Sequence, residues 1–135
     1  MCFVAYSFII VVVHLQLLLN LITLSLEKVK LLYVAEPSGA PELTSVEVQD
    51  STSVQVEWQP LPEEFRRGII TKYVIFYTAE KETNTKEVRA SLLKAVVNGL
   101  RQSTTYSFQV RAETVKGAGP KSNPKNVTTD GKQSK

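Results

Sequence analysis

Beyond residue 41 this chain is written in period two, and no stretch after Lys30 holds a helical period. In "SVQVEWQP" Val54, Val56 and Trp58 point one way, and Gln55 and Glu57 the other. Successive side chains of a strand face opposite sides, so strict alternation marks a strand with one face buried. Pro60 and Pro62 end that strand, because proline cannot donate to a central ladder. "IITKYVIFYTA" puts Tyr73, Ile75 and Tyr77 on one face, with Val74 and Phe76 on the other. "TYSFQVRAE" puts Tyr106, Phe108, Val110 and Ala112 inward, leaving Gln109 and Arg111 outward.

Weaker segments fill the intervals. "LTSVEVQD" alternates loosely, "EKETNTKE" reads as a short polar edge strand, and "SLLKAVVNGL" sets Leu93, Ala95 and Val97 on one face. "PLPEEFRRG" reads as a loop carrying the solvated pair Arg66 and Arg67, and "VKGAGP" as a turn. "KSNPKNVTTD" is a last strand, and Pro124 confines it to an edge. Seven short strands with turn residues between them predict an antiparallel two-sheet sandwich of about 90 residues.

Composition narrows the class. Cys2 is the sole cysteine, so disulfide staples and cysteine-based zinc sites are excluded and the core alone must hold the domain. From Pro41 to Asp130 there are 12 Lys or Arg and 11 Asp or Glu, a balance that argues against a nucleic-acid footprint. No histidine or cysteine lies in the domain to activate its serines and carboxylates, so no catalytic, cofactor or metal site is expected.

The first 26 residues are different. "CFVAYSFIIVVVHLQLLLNLITLSL" carries no charge and is long enough to span a bilayer as a helix. Three readings stand side by side. Thr23 and Ser25 suit signal cleavage before Leu26. Retention would make a signal anchor, with Glu27, Lys28 and Lys30 weakly favouring a cytoplasmic far side. Translated non-coding sequence is the third. His14, Gln16 and Asn20 are costly against lipid, and His14, the lone histidine, reads as incidental. The expected organisation is a leader at 1–26, a linker at 27–40, the domain at 41–130 and a tail at 131–135 that reads as an interdomain linker cut short.

"VEWQPLP", "GIITKYVIFY", "LRQSTTY", "VRAETVKGAGP" and "KS" resemble, in order, the motifs of a fibronectin type III domain. Trp58 matches its strand-B tryptophan. Gly68, Ile70, Tyr73, Ile75 and Tyr77 match its strand-C pattern, and Leu100, Thr104 and Tyr106 its tyrosine corner. Gln102 stands where the family has a corner proline, which loosens that turn. The resemblance implies an immunoglobulin-like sandwich of the kind found in adhesion receptors and receptor tyrosine phosphatases. It also implies a non-catalytic module that binds protein partners and spaces tandem domains at the cell surface. A structural repeat of an intracellular filament protein is the alternative, as is an ectodomain piece of a receptor phosphatase or kinase. There is no Trp-Ser-x-Trp-Ser motif, and no Arg-Gly-Asp in the Val115–Pro120 turn. Membrane contact is expected only through the leader or through parts of the protein outside this chain.

Trp58, Ile70, Tyr73, Leu100, Tyr106 and Phe108 are assigned to the core. Val74 and Phe76 are predicted to face outward, either partly covered by a neighbouring strand or side-chain stems, or as an apolar contact for a partner or adjacent domain, with Arg111 and Lys116 as further partner contacts. "NVT" makes Asn126 a glycosylation acceptor if the domain is exported.

Overall fold

The computed structural model describes residues 2–32 and 34–131. Beyond Gly131, the tail assigned at 131–135 lies outside the described residues. The chain divides into two units, Met1–Val34 and Ala35–Lys135.

The first unit is one helix, α1 (Cys2–Leu32). Within it Ala5–Leu26, 22 residues, is long and apolar enough to cross a membrane. Two of its polar side chains bond back to the helix. Thr23 Oγ1 donates to the Leu19 carbonyl at 2.9 Å, and His14 Nδ1 lies 3.0 Å from the Ile10 carbonyl. Such i−4 bonds reduce the cost of polar groups in an apolar setting.

The second unit is a β-sandwich. β1 (Leu43–Asp50), β2 (Ser53–Trp58) and β5 (Lys94–Val97) form one antiparallel sheet in the order β1-β2-β5. The other sheet contains β3 (Lys72–Ala79), β4 (Glu82–Arg89) and β6 (Thr105–Thr114), in the order β4-β3-β6. Along the free side of β6 run β7 (Gly117–Ala118) and β8 (Lys125–Thr128), both antiparallel to it. β8 falls within the last strand of the sequence reading, whereas β7 forms in "VKGAGP", which the sequence reads as a turn. Pro120 and Pro124 have no N–H to give, so the ladder breaks between them. The gap is bridged by Gly119 N–H to Ala112 O (2.9 Å) and Ser122 N–H to Val110 O (2.8 Å). The buried Ser122 hydroxyl accepts the Val110 N–H at 3.0 Å, where a strand carbonyl would otherwise sit.

Alternation decides the core. Val54, Val56, Trp58, Tyr73, Ile75, Tyr106, Phe108, Val110 and Ala112 all turn inward and join Leu43, Leu61, Val88, Val97 and Leu100. The Trp58 and Tyr73 rings meet at 5.4 Å, tilted 59°, within the favourable range for an aromatic pair. Ile70 packs against this cluster from a half-buried position. The corner closes as the tyrosine motif implies: Arg101 N–H donates to the Tyr106 hydroxyl at 2.9 Å.

Three local features differ from the sequence reading. Glu82–Arg89 is not a short strand: all eight residues pair with β3. Its threonines suit a strand, and with only Val88 buried no face imposes alternation on it. Glu63–Arg66 forms one helical turn, α2, closed by Arg67 in the left-handed region (φ 49°). Arg66 is therefore not freely solvated, since its Nε donates to the Leu61 carbonyl at 2.5 Å. Leu93 is exposed rather than inward, because β5 begins one residue later. At the edges, Lys86 Nζ of β4 reaches the Val96 carbonyl of β5 at 2.5 Å, linking the open edges of the two sheets.

Candidate functional site

The candidate surface is the outer face of the five-stranded sheet. Register places Val74 between Glu87 and Arg111, and Phe76 between Thr85 and Gln109. Both side chains point away from the core cluster, as alternation predicts, but they are not a bare apolar patch. Val74 is 4% exposed and Phe76 9%. Of the two readings, cover by side-chain stems is the one the structure shows, and the reason is chemical. The Arg111 guanidinium sits 4.9 Å from the Phe76 ring centre and the Lys121 ammonium 3.9 Å from it. Cations favour the negative face of an aromatic ring, and their stems cover the ring from water.

An ion network fixes the cover. Glu113 Oε1 accepts from Arg111 Nε at 3.0 Å and from Nη2 at 2.7 Å. Its other oxygen lies 3.4 Å from Lys72 Nζ, which also pairs with Glu87. The Glu87 carboxylate, and then the charge of Glu113, raise the Lys72 ammonium above its ordinary pKa. Gln109 Nε2 donates to the Ser122 carbonyl at 2.9 Å, tying this face to the segment that carries Lys121. Among the described residues no carboxylate pairs with Lys121.

Val74, Phe76 and Arg111 are thus brought together, and Lys116 is not. It stands at the exposed tip between β6 and β7, its N–H on Thr114 Oγ1 at 3.2 Å. Asn126 is exposed on β8 opposite Ser107, so it shares the outer face. Lys121, Lys72 and Glu113 escaped the sequence reading. Lys121 follows Pro120 in a stretch with no alternation, so only the fold reveals that it crosses to Phe76.

The arrangement offers cations over an apolar floor, a contact chemistry rather than a reactive one. Among the described residues no three His, Cys, Asp or Glu side chains converge as metal ligands.

Comparison with known proteins agrees with this architecture. Residues 39–128 match the family model of the fibronectin type III domain. Rat neogenin is 39% identical over 87 residues, 62% of this chain and 6% of neogenin. The human netrin receptor DCC is 41% identical over 90 residues, 64% of this chain and 6% of the receptor. The fly tyrosine-protein phosphatase Lar is 37% identical over 114 residues, 82% of this chain and 6% of Lar. The chain therefore spans only a small part of the relatives it matches. Among solved structures, the human contactin 1 fn3 domain superposes with a TM-score of 0.64 at 28% identity, covering 73% of this chain and 82% of that one. The FN5 domain of Drosophila Lar gives 0.55 at 29% identity, covering 73% and 98%. With the corner, the core tryptophan and the two-sheet topology all in place, this chain belongs to the fibronectin type III domain family.

Proposed function

We propose that this chain is a non-catalytic module that binds protein partners and spaces neighbouring domains in a larger cell-surface adhesion or signalling receptor. The observation that carries this reading is the pattern of similarity. The matched stretch is a small fraction of long proteins that include a netrin receptor and a receptor-type phosphatase. The domain occupies residues 41–130, the apolar leader 1–26 and a linker 27–40.

Binding runs through the outer sheet face and the β6–β7 tip. Arg111 and Lys121 present charge to an acidic partner. When a partner carboxylate draws either cation off Phe76, the ring becomes available for apolar contact in the same event. Val74 backs the ring, and Lys116 supplies a second cationic contact. A glycan on Asn126 would border this face and limit which partners approach.

A tagged full chain expressed in cultured cells tests the reading. Staining on intact cells is expected, together with a mass loss on glycosidase treatment that Asn126→Gln abolishes. Staining only after permeabilisation, with unchanged mass, overturns it in favour of a cytosolic structural repeat.

A further inference from the structure

The chain has five asparagines, Asn20, Asn84, Asn98, Asn123 and Asn126, and only Asn98 is followed by glycine. The side-chain carbonyl carbon of an asparagine is open to attack by the backbone nitrogen of the next residue, because one short piece of chain holds the two together. Four of the sites are ill-disposed to it. Asn20 lies inside α1, where the following amide is committed to the helix ladder. Pro124 follows Asn123 and has no N–H to lose. Thr85 and Val127 follow Asn84 and Asn126. Both are branched at Cβ and are fixed in β4 and β8, opposite Phe76 and Tyr106.

Asn98–Gly99 is different. Both residues are exposed, just beyond Val97, the last residue of β5. Among the described residues the Gly99 N–H has no backbone acceptor. Gly99 sits in the left-handed region at φ 75°, and nothing lies within 4 Å of where its Cβ would be. With no side chain, its nitrogen reaches the Asn98 carboxamide at little steric cost.

We propose that Asn98–Gly99 is a site of spontaneous backbone modification, at which the folded domain converts asparagine to isoaspartate and loosens its hold on Leu100. The Gly99 nitrogen forms a bond to Asn98 Cγ, the Cγ–Nδ2 bond breaks, and Nδ2 leaves as ammonia with the Gly99 proton. The product is a succinimide ring. Water then adds to either ring carbonyl and reopens it. Opening at Cγ gives aspartate on an unchanged backbone. Opening at the main-chain carbonyl gives isoaspartate, whose backbone runs through Cβ and Cγ and is longer by a single atom. Water is the only co-reactant, and nothing is oxidised or reduced.

The extra atom falls just ahead of a residue that is held in several ways. Leu100 N–H donates to the Thr52 carbonyl at 2.9 Å, and the Leu100 side chain is buried in the core. The next amide, that of Arg101, closes on the Tyr106 hydroxyl. In a close-packed interior the lengthened chain must displace at least one of these contacts. The site is independent of what the module binds.

The full chain, made in bacteria so that Asn126 carries no glycan, is aged in mild detergent at neutral pH. It is then digested, and each asparagine is followed by mass. Isoaspartate is counted by methyl transfer from S-adenosylmethionine with an isoaspartyl carboxyl methyltransferase. Asn98 is expected to deamidate about tenfold or more faster than Asn84 and Asn126, and within about tenfold of its own rate in the chain unfolded by guanidinium. Asn98→Gln should abolish the methyl label. The aged, isoaspartate-bearing chain should melt below both the parent and Asn98→Asp, which carries the charge without the longer backbone. Protection of Asn98 in the folded chain by more than about tenfold overturns the inference, because the fold then withholds the attacking geometry. Methyl label that persists in Asn98→Gln overturns it as well, by placing the reaction elsewhere. Equal melting of the aged chain and Asn98→Asp overturns the loosening of Leu100.

Discussion

The backbone N–H of Arg101 donates to the Tyr106 hydroxyl at 2.9 Å, closing the turn that carries the chain from one sheet to the other. The same turn is gripped from the far side, where Thr129 Oγ1 donates to the Arg101 carbonyl at 2.6 Å. Tyr106→Phe keeps the ring in the core and leaves the Arg101 amide without its acceptor. A destabilisation of about 1–3 kcal/mol is expected. It should appear as a lower urea midpoint at an unchanged slope.

Trp58 sits almost fully buried against Tyr73, and its truncation removes the largest side chain of the core. Trp58→Ala should cost about 3–5 kcal/mol. Domains of this kind hold only about 5–15 kcal/mol in total, so the variant should melt far below the parent. A melt indistinguishable from the parent's would falsify the packing described for this core.

Lys121 and Phe76 form a pair that a double-mutant cycle can isolate. Lys121→Met and Phe76→Leu, alone and combined, should show a coupling of about 0.5–1 kcal/mol, since Lys121 itself is exposed. Additive losses would mean that the ammonium does not rest on the ring.

Gly119 has no room for a side chain. A Cβ there would lie 2.7 Å from the Pro37 Cβ and 3.1 Å from the Pro37 carbonyl oxygen. Gly119→Ala should therefore push the buried Pro37 segment away, at a cost of about 1–3 kcal/mol. Faster hydrogen exchange at the Ala35 amide, which otherwise donates to Arg67, should accompany the loss.

The β1–β2 turn is sensitive to acid. The Ser53 hydroxyl and the Thr52 amide donate to the Asp50 carboxylate, at 2.5 Å and 2.8 Å, and hold its pKa below the ordinary aspartate value. With the folded pKa depressed, this group stabilises the fold above the unfolded pKa, about 3.9. That stabilisation is lost as pH falls through the lower, folded value. Asp50→Asn removes the titration, so the parent's advantage in melting temperature should fade between about pH 5 and about pH 2. A constant gap across that range would separate the carboxylate's charge from the stability of the turn.

What the sequence disclosed follows a physical divide. Residues such as Val56, Trp58, Phe108 and Val110 serve one buried face, so burial imposes alternation and alternation is readable. The corner is equally local, because Leu100, Arg101 and Tyr106 lie within one turn. Glu82–Arg89 shows the limit. An edge strand is held mainly by backbone pairing, which any polar sequence can provide, so its full length left no pattern. The identity of the cover over Phe76 lay further out of reach, since Lys121 arrives from the connection between β7 and β8, where no alternation marks its direction. Outward alternation of Val74 and Phe76 and cover by side-chain stems were legible, and the identity of Lys121 as part of that cover was not.

The bond from Lys86 to the Val96 carbonyl has a consequence for any protein that repeats this module. Copies strung along one chain meet at high local concentration, and an open strand edge is a template on which a neighbour's strand can add. Here one outward acceptor of β5 is already engaged, and a charged side chain occupies the approach. Fidelity of assembly in a crowded array is thereby written into a single lysine: each copy is discouraged from trading strands with the next.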